Sequence, residues 1–195
     1  PDQRWISNSG LSEKLQQKLK EVYDNRTQGE HYYVGNVPMV GNPEFKNENA
    51  YADMPYPDAG FRLLGLFRYW NMIQYYFPYK DITDKDWATV LEEYIPEFIN
   101  AEDELAYEIA NIKLIGDVKD THANLWGGND KWQEKLGSNY PPVHVAFIED
   151  RLLVLDYYNP EMQKELGLEV GDAIIAINGE STAAIVKRSI PFYPA

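Results

Sequence analysis

The chain has 195 residues, with 31 acidic against 18 basic side chains for a formal net charge of −13, and it contains no cysteine. Such an acidic chain repels phosphates, which argues against nucleic acid as a partner, and the missing thiol excludes cysteine catalysis, disulfides and cysteine-type zinc sites. With 44% hydrophobic and 14% aromatic residues it can build a core, which excludes general disorder.

No apolar stretch approaches the roughly 18 residues needed to span a bilayer. The start, Pro1-Asp2-Gln3-Arg4-Trp5, carries neither a signal-peptide core nor an initiator Met, and Ser189–Ala195 stops without a polar tail. The sequence therefore reads as a mature or excised piece of something longer. Leu11, Leu15, Leu19 and Val22 recur at helical spacing, with Ser9 or Ser12 as N-cap, and predict a short helix ending near Asn25. From Thr27 to Pro57 the pattern dissolves into a long irregular segment, whose aromatics (Tyr32, Tyr33, Phe45, Tyr51, Tyr56) favour wrapping over a neighbouring surface.

Asp58 is a good N-cap for the strongest helical run, with Phe61, Leu64, Phe67, Trp70, Asn71 and Gln74 on a wide face and Leu63, Leu66 and Ile73 filling in, stopped by Pro78. A third helix is expected from Asp84, burying Trp87, Val90, Leu91, Tyr94 and Phe98, with Pro96 kinking or closing its last turn. Asn100 is expected to cap a fourth, carrying Leu105, Ile109, Ile112 and Ile115 on one face. A turn at Trp126–Asn129 leads to a short helix from Asp130 to Gly137.

The period then changes. Val143–Ile148 and Leu152–Tyr157 are strand-like, Asn159 caps a brief helix closed by Gly167, and Ala173–Ile177 runs into Asn178-Gly179, a strong tight-turn signal. A last helix is expected over Ser181–Ser189, broken at Pro191. The expected class is α+β and multidomain: an N-terminal α-helical bundle over 1–137, with the irregular segment inside it, and a small, truncated β/α domain over 138–195.

No G-x-S-x-G elbow, P-loop, G-x-G-x-x-G or H-E-x-x-H occurs. His31, His122 and His144 are too scattered to read as a metal cluster. His31 reads as a surface residue. His144 reads as a solvent-facing strand residue opposite Val143, Val145 and Phe147. On residue types alone His122 is a helix-terminal histidine beside Asp120 and Thr121, either of which could orient an imidazole.

Gly167-Leu168, followed by Val170-Gly171-Asp172-Ala173-Ile174-Ile175-Ala176-Ile177-Asn178-Gly179-Glu180, closely resembles the G-D-x-I-x-x-I-N-G hairpin of PDZ domains in bacterial proteases. Phe61-Arg62-Leu63-Leu64-Gly65-Leu66-Phe67-Arg68-Tyr69-Trp70-Asn71, with Tyr76-Phe77-Pro78-Tyr79, resembles the N-terminal helical region of tail-specific and tricorn-like serine peptidases. The resemblance covers about residues 58–190. Asp120-Thr121-His122-Ala123 falls where tricorn-like members carry Ser-His-Ala, whose histidine is the catalytic base. Thr121 departs from that pattern but keeps a hydroxyl.

The resemblance implies the N-terminal portion of an exported, periplasmic or envelope-associated serine endopeptidase acting on polypeptides. In it His122 is the general base, Asp120 and Thr121 orient the ring, and a PDZ-like domain positions substrate. It implies no cofactor, and it puts the nucleophile in a protease core following Ala195. None of Ser7, Ser9, Ser12, Ser138, Ser181 and Ser189 has a nucleophile-like context. Tyr140, Val143 and Val145 are the implied peptide contacts, yet Pro141 and Pro142 remove two N–H donors from the loop that would hold a peptide carboxylate. Two other readings stay open: a non-catalytic PDZ-type binding or scaffold module, and a tail-specific Ser–Lys protease in which His122 is structural.

Overall fold

The structure, a computed structural model, describes residues 4–193. Residues 1–3 and 194–195, on which part of the reading of the two chain ends rests, lie outside the described residues. The class is mixed α+β. The chain divides into two compact units, residues 1–51 and 52–195, and the second holds both the long helices and the β/α part that follows Gly137.

The first unit contains α1 (Arg4–Asn8), α2 (Glu13–Asp24) and a hairpin of β1 (Val34–Asn36) and β2 (Pro43–Phe45). Ser12 takes the N-cap backbone position of α2, but its side chain makes no capping bond, and no α2 residue is buried. The hairpin lies inside the stretch expected to be irregular. Its six-residue connection is closed by the Val37 N–H to the Asn42 carbonyl and the Gly41 N–H to the Val37 carbonyl. Tyr32 and Tyr33 remain exposed and pair edge-on at 4.9 Å, so these two do not wrap a neighbouring surface.

In the second unit α3 (Ala59–Tyr76), α4 (Trp87–Asn100) and α5 (Glu104–Gly116) surround a core of Leu66, Trp87, Val90, Tyr94, Phe98, Ala110, Leu114 and Val118. Asp58 caps α3 by accepting from the Gly60 and Phe61 N–H groups. Asp86 and Asp103, later than the expected Asp84 and Asn100, cap α4 and α5. The expected α4 face is the buried one, and the helix runs through Pro96 to Asn100.

Two stripes differ from expectation. On α3 the buried positions are Arg62 and Leu66, while Phe67 is partly exposed. On α5 they are Glu108, Ala110, Ile112, Leu114 and Gly116 rather than Leu105, Ile109 and Ile115.

The reason is charge satisfied by helix ends. The Arg62 guanidinium donates to the carbonyls of Phe98 and Ile99 at the C-terminus of α4 and of Pro57, each at 2.7 Å. It thus lies at the negative end of that helix dipole. Glu108 accepts from the N–H groups of Lys131 (3.2 Å) and Trp132 (2.7 Å), the first turn of α6 (Asp130–Leu136). An arginine at a C-terminus and a glutamate at an N-terminus thereby join helices that an apolar pattern alone would not register.

The β part is an antiparallel sheet of order β3-β4-β5, with β3 Val143–Ile148, β4 Arg151–Tyr157 and β5 Ala173–Ile174. A bulge falls where His144 pairs with Asp156 and Val145 with Val154, leaving Leu155 extra. It keeps Val143, Val154 and Tyr157 on one buried face, against Leu166, Leu168 and Ile174. A 3₁₀ turn (Pro160–Met162) and α7 (Gln163–Leu166) follow β4. The expected strand 173–177 is split: β6 (Ala176–Ile177) pairs instead with β7 (Glu180–Ser181) around Asn178-Gly179, whose φ angles of 51° and 84° suit that pair of residues. Helix α8 (Thr182–Ser189), capped by Ser181, leads into a 3₁₀ turn, Ile190–Phe192, that packs against α5.

Candidate functional site

The segment that leaves α5 carries His122, and its base is pinned. The Asp117 carboxylate accepts from Lys85 Nζ at 2.9 Å and from the Tyr94 hydroxyl at 2.8 Å. Burial and then this hydrogen bond push the Tyr94 hydroxyl well above the ordinary tyrosine range. For Lys85 partial burial opposes the charge, but the hydrogen bonds to Glu93 and Asp117 outweigh it and raise the ammonium. Val118 is buried in the helical core.

Beyond it, Asp120–Ala123 forms a turn closed by the Ala123 N–H to the Asp120 carbonyl at 2.8 Å. One carboxylate oxygen of Asp120 accepts the His122 backbone N–H at 2.9 Å and lies 3.1 Å from His122 Nδ1. The backbone bond first, and the ring second, hold Asp120 below the usual carboxylate range. A carboxylate has no proton to give, so Nδ1–H is the donor in this contact, and the tautomer that makes it carries its lone pair on Nε2. The imidazole is 94% exposed. Tyr69 of α3 is partly buried against the helical core, and burial first and the Asp120 charge second push its hydroxyl above the ordinary range.

Immediately after His122 the chain borders a hollow of about 150 Å³. Its walls are Ile112 and Ile115 from α5, Ala123 and Leu125 from the loop, Trp132 from α6, and Phe192 from the last 3₁₀ turn. Trp132 and Phe192 meet with ring centroids 4.7 Å apart. His122 is not part of the lining, and Trp126 stands 87% exposed on the turn beyond.

Of the expected orienting groups, Asp120 touches the ring. Thr121 is exposed, and its carbonyl accepts from Asn124 Nδ2 at 3.4 Å. The expected peptide contacts do not share one environment: Tyr140 is 84% exposed, Val145 is partly exposed, and Val143 is 3% exposed beneath its cross-strand partner Tyr157. His31 and His144 are exposed; the His144 ring lies 3.8 Å from that of Tyr158. Among the described residues no cluster of three His, Asp or Glu side chains could hold a metal, and no helix is long and apolar enough to cross a membrane. Sequence reasoning missed Glu108 and Trp132, which fix the far wall of the hollow. The signal was a glutamate at a helical position between apolar neighbours, Ile109 and Leu105.

No protein-family model and no curated protein matches this sequence.

Proposed function

We propose that this chain is the N-terminal portion of a tricorn-like serine endopeptidase, exported to the periplasm or cell envelope, in which His122 is the general base. The observation that carries the reading is the Asp120–His122 pair: a carboxylate on Nδ1–H, with Nε2 of a 94% exposed ring free to meet a nucleophile. That division of labour is what a base in acyl transfer needs. The carboxylate fixes the tautomer and stabilises the imidazolium, while Nε2 takes the serine proton and returns it to the leaving amine. The serine and its remaining partners would come from a protease core beyond this chain. The helices would form the bundle that presents His122, and residues 138–195 the truncated PDZ-like domain that positions or gates the polypeptide, without strong capture of a free C-terminus.

Mutation of His122 in the full-length polypeptide tests the reading. His122→Ala is expected to lower kcat by a factor on the order of 10³ or more with the melting temperature unchanged. Normal turnover in the folded variant would exclude this assignment and leave the Ser–Lys reading, whereas absence of turnover in the unmutated full-length polypeptide would leave the scaffold reading.

A further inference from the structure

The hollow beside His122 has a lining without a single formal charge, in a chain of which 25% of residues are charged. Its volume, about 150 Å³, is smaller than the roughly 300–1,000 Å³ of sites that take whole small molecules. That space fits one side chain. The apolar part is built by Ile112, Ile115 and Leu125, and the amides of Asn124, Asn129 and Gln133 supply donors and acceptors that a peptide backbone can use.

The walls are also held in place before any ligand arrives. Glu108 fixes the first turn of α6 through two backbone N–H groups, Phe192 packs on Trp132, and the Pro191 carbonyl lies so close to Gly116 that a Cβ there would sit 2.8 Å from it. The loop wall, Ala123 to Leu125, follows His122 directly, and neighbouring Cα atoms are about 3.8 Å apart. The backbone of His122 is therefore one residue from the wall of the hollow.

We infer that the hollow is a specificity subsite that receives one uncharged, apolar side chain of the polypeptide substrate. The assignment of the occupant as substrate rests on the peptidase reading of His122. A charged side chain is rejected because the lining offers it no counter-charge for the water it would lose.

The test uses the 195-residue chain with N-acetyl-leucinamide, N-acetyl-phenylalaninamide and N-acetyl-lysinamide as probes. Binding is followed by the methyl resonances of Ile112 and Ile115 and by the Trp132 indole N–H. The two apolar probes are expected to give saturable shifts, with the lysine probe at least tenfold weaker. Gln133→Glu, an isosteric change at an exposed position of α6 that borders the hollow, is expected to shrink that ratio at least fivefold. Ile115→Trp, which fills the hollow from α5, is expected to abolish the shifts. His122→Ala is expected to leave probe binding within twofold.

Equal affinity for apolar and cationic probes, or a ratio unmoved in folded Gln133→Glu protein, overturns the subsite. Loss of turnover in His122→Ala, with no probe binding to the chain, keeps the peptidase and removes the subsite. Selective binding with turnover untouched in His122→Ala removes the occupant's role as substrate.

Discussion

At the residue scale the consequential groups are three charged side chains, Asp120, Arg62 and Glu108, each matched to backbone rather than to an opposite charge alone. Asp120 holds His122 by accepting both its N–H and its ring. Because its folded carboxyl sits below the usual value, the contact stabilises the loop above the ordinary aspartate pKa of about 3.9 and is lost as pH falls through the lower, folded value. The His122 amide proton, followed by NMR from pH 6 to pH 2, should shift with a midpoint below about 3.9, and Asp120→Asn should abolish the transition. A midpoint at or above the ordinary value would show that the carboxylate does not hold the turn. Arg62 makes a larger contribution to stability. Arg62→Met keeps much of the volume but removes the donors to the buried Phe98 carbonyl and the partly buried Pro57 and Ile99 carbonyls. Each such loss costs about 1–3 kcal/mol, partly recovered by water, so a destabilisation of about 3 kcal/mol is expected from the urea midpoint at constant m-value.

At the element scale, the caps at Asp58 and Asn159 and the turn at Asn178-Gly179 were legible in the sequence, the caps of α4 and α5 fell two and three residues later than expected, and burial was legible only where it was apolar. Asp58, Ser181 and Asn178-Gly179 act locally, through bonds within three residues or through a left-handed backbone, so a short window contains the whole cause. Arg62 and Glu108 are satisfied by partners 36 and 24 residues away, and no window of helical length contains both ends. The β1–β2 hairpin stayed invisible because three-residue strands show no alternation. At the candidate site the histidine and its aspartate could be read as neighbours, whereas the hollow, which needs α5, α6 and Phe192 together, could not.

Gly116 shows how such a long-range contact constrains a residue type. In a helix interior Ala would gain up to about 1 kcal/mol over Gly, and less at this last helical position. Its Cβ, however, would meet the Pro191 backbone oxygen at 2.8 Å, and a carbonyl cannot rotate aside as a side chain can. Overpacking of this kind costs about 1–3 kcal/mol, so the clash wins. Gly116→Ala should lower stability and break the Trp132–Phe192 contact, seen as loss of the ring-to-ring nuclear Overhauser effect. Retention of both would mean that the 190–193 segment is held elsewhere.

At the scale of the whole molecule, the described residues hold the proposed base and a side-chain hollow, and the serines among them that make hydrogen bonds are engaged elsewhere. Ser9 donates to the Ile6 carbonyl at 2.9 Å, Ser181 caps α8 by accepting the Ala184 N–H, and Ser189 donates to the Ile185 carbonyl at 2.8 Å. These are the bonds of helix ends and turns. Among the described residues the His122 ring is bonded to Asp120 and to no hydroxyl. General-base catalysis needs the nucleophile within about 2.6–3.2 Å of the base, or one water away, and a base alone does not form an acyl-enzyme. The 195-residue chain by itself is therefore expected to cleave neither casein nor a mixed peptide library. The check is product formation by mass spectrometry over hours at micromolar protein, with and without a serine-directed phosphonate or fluorophosphonate. Cleavage that the inhibitor abolishes would place a working nucleophile inside these residues and overturn the proposed division of the catalytic group. Cleavage that survives both the inhibitor and His122→Ala would point to a contaminating protease.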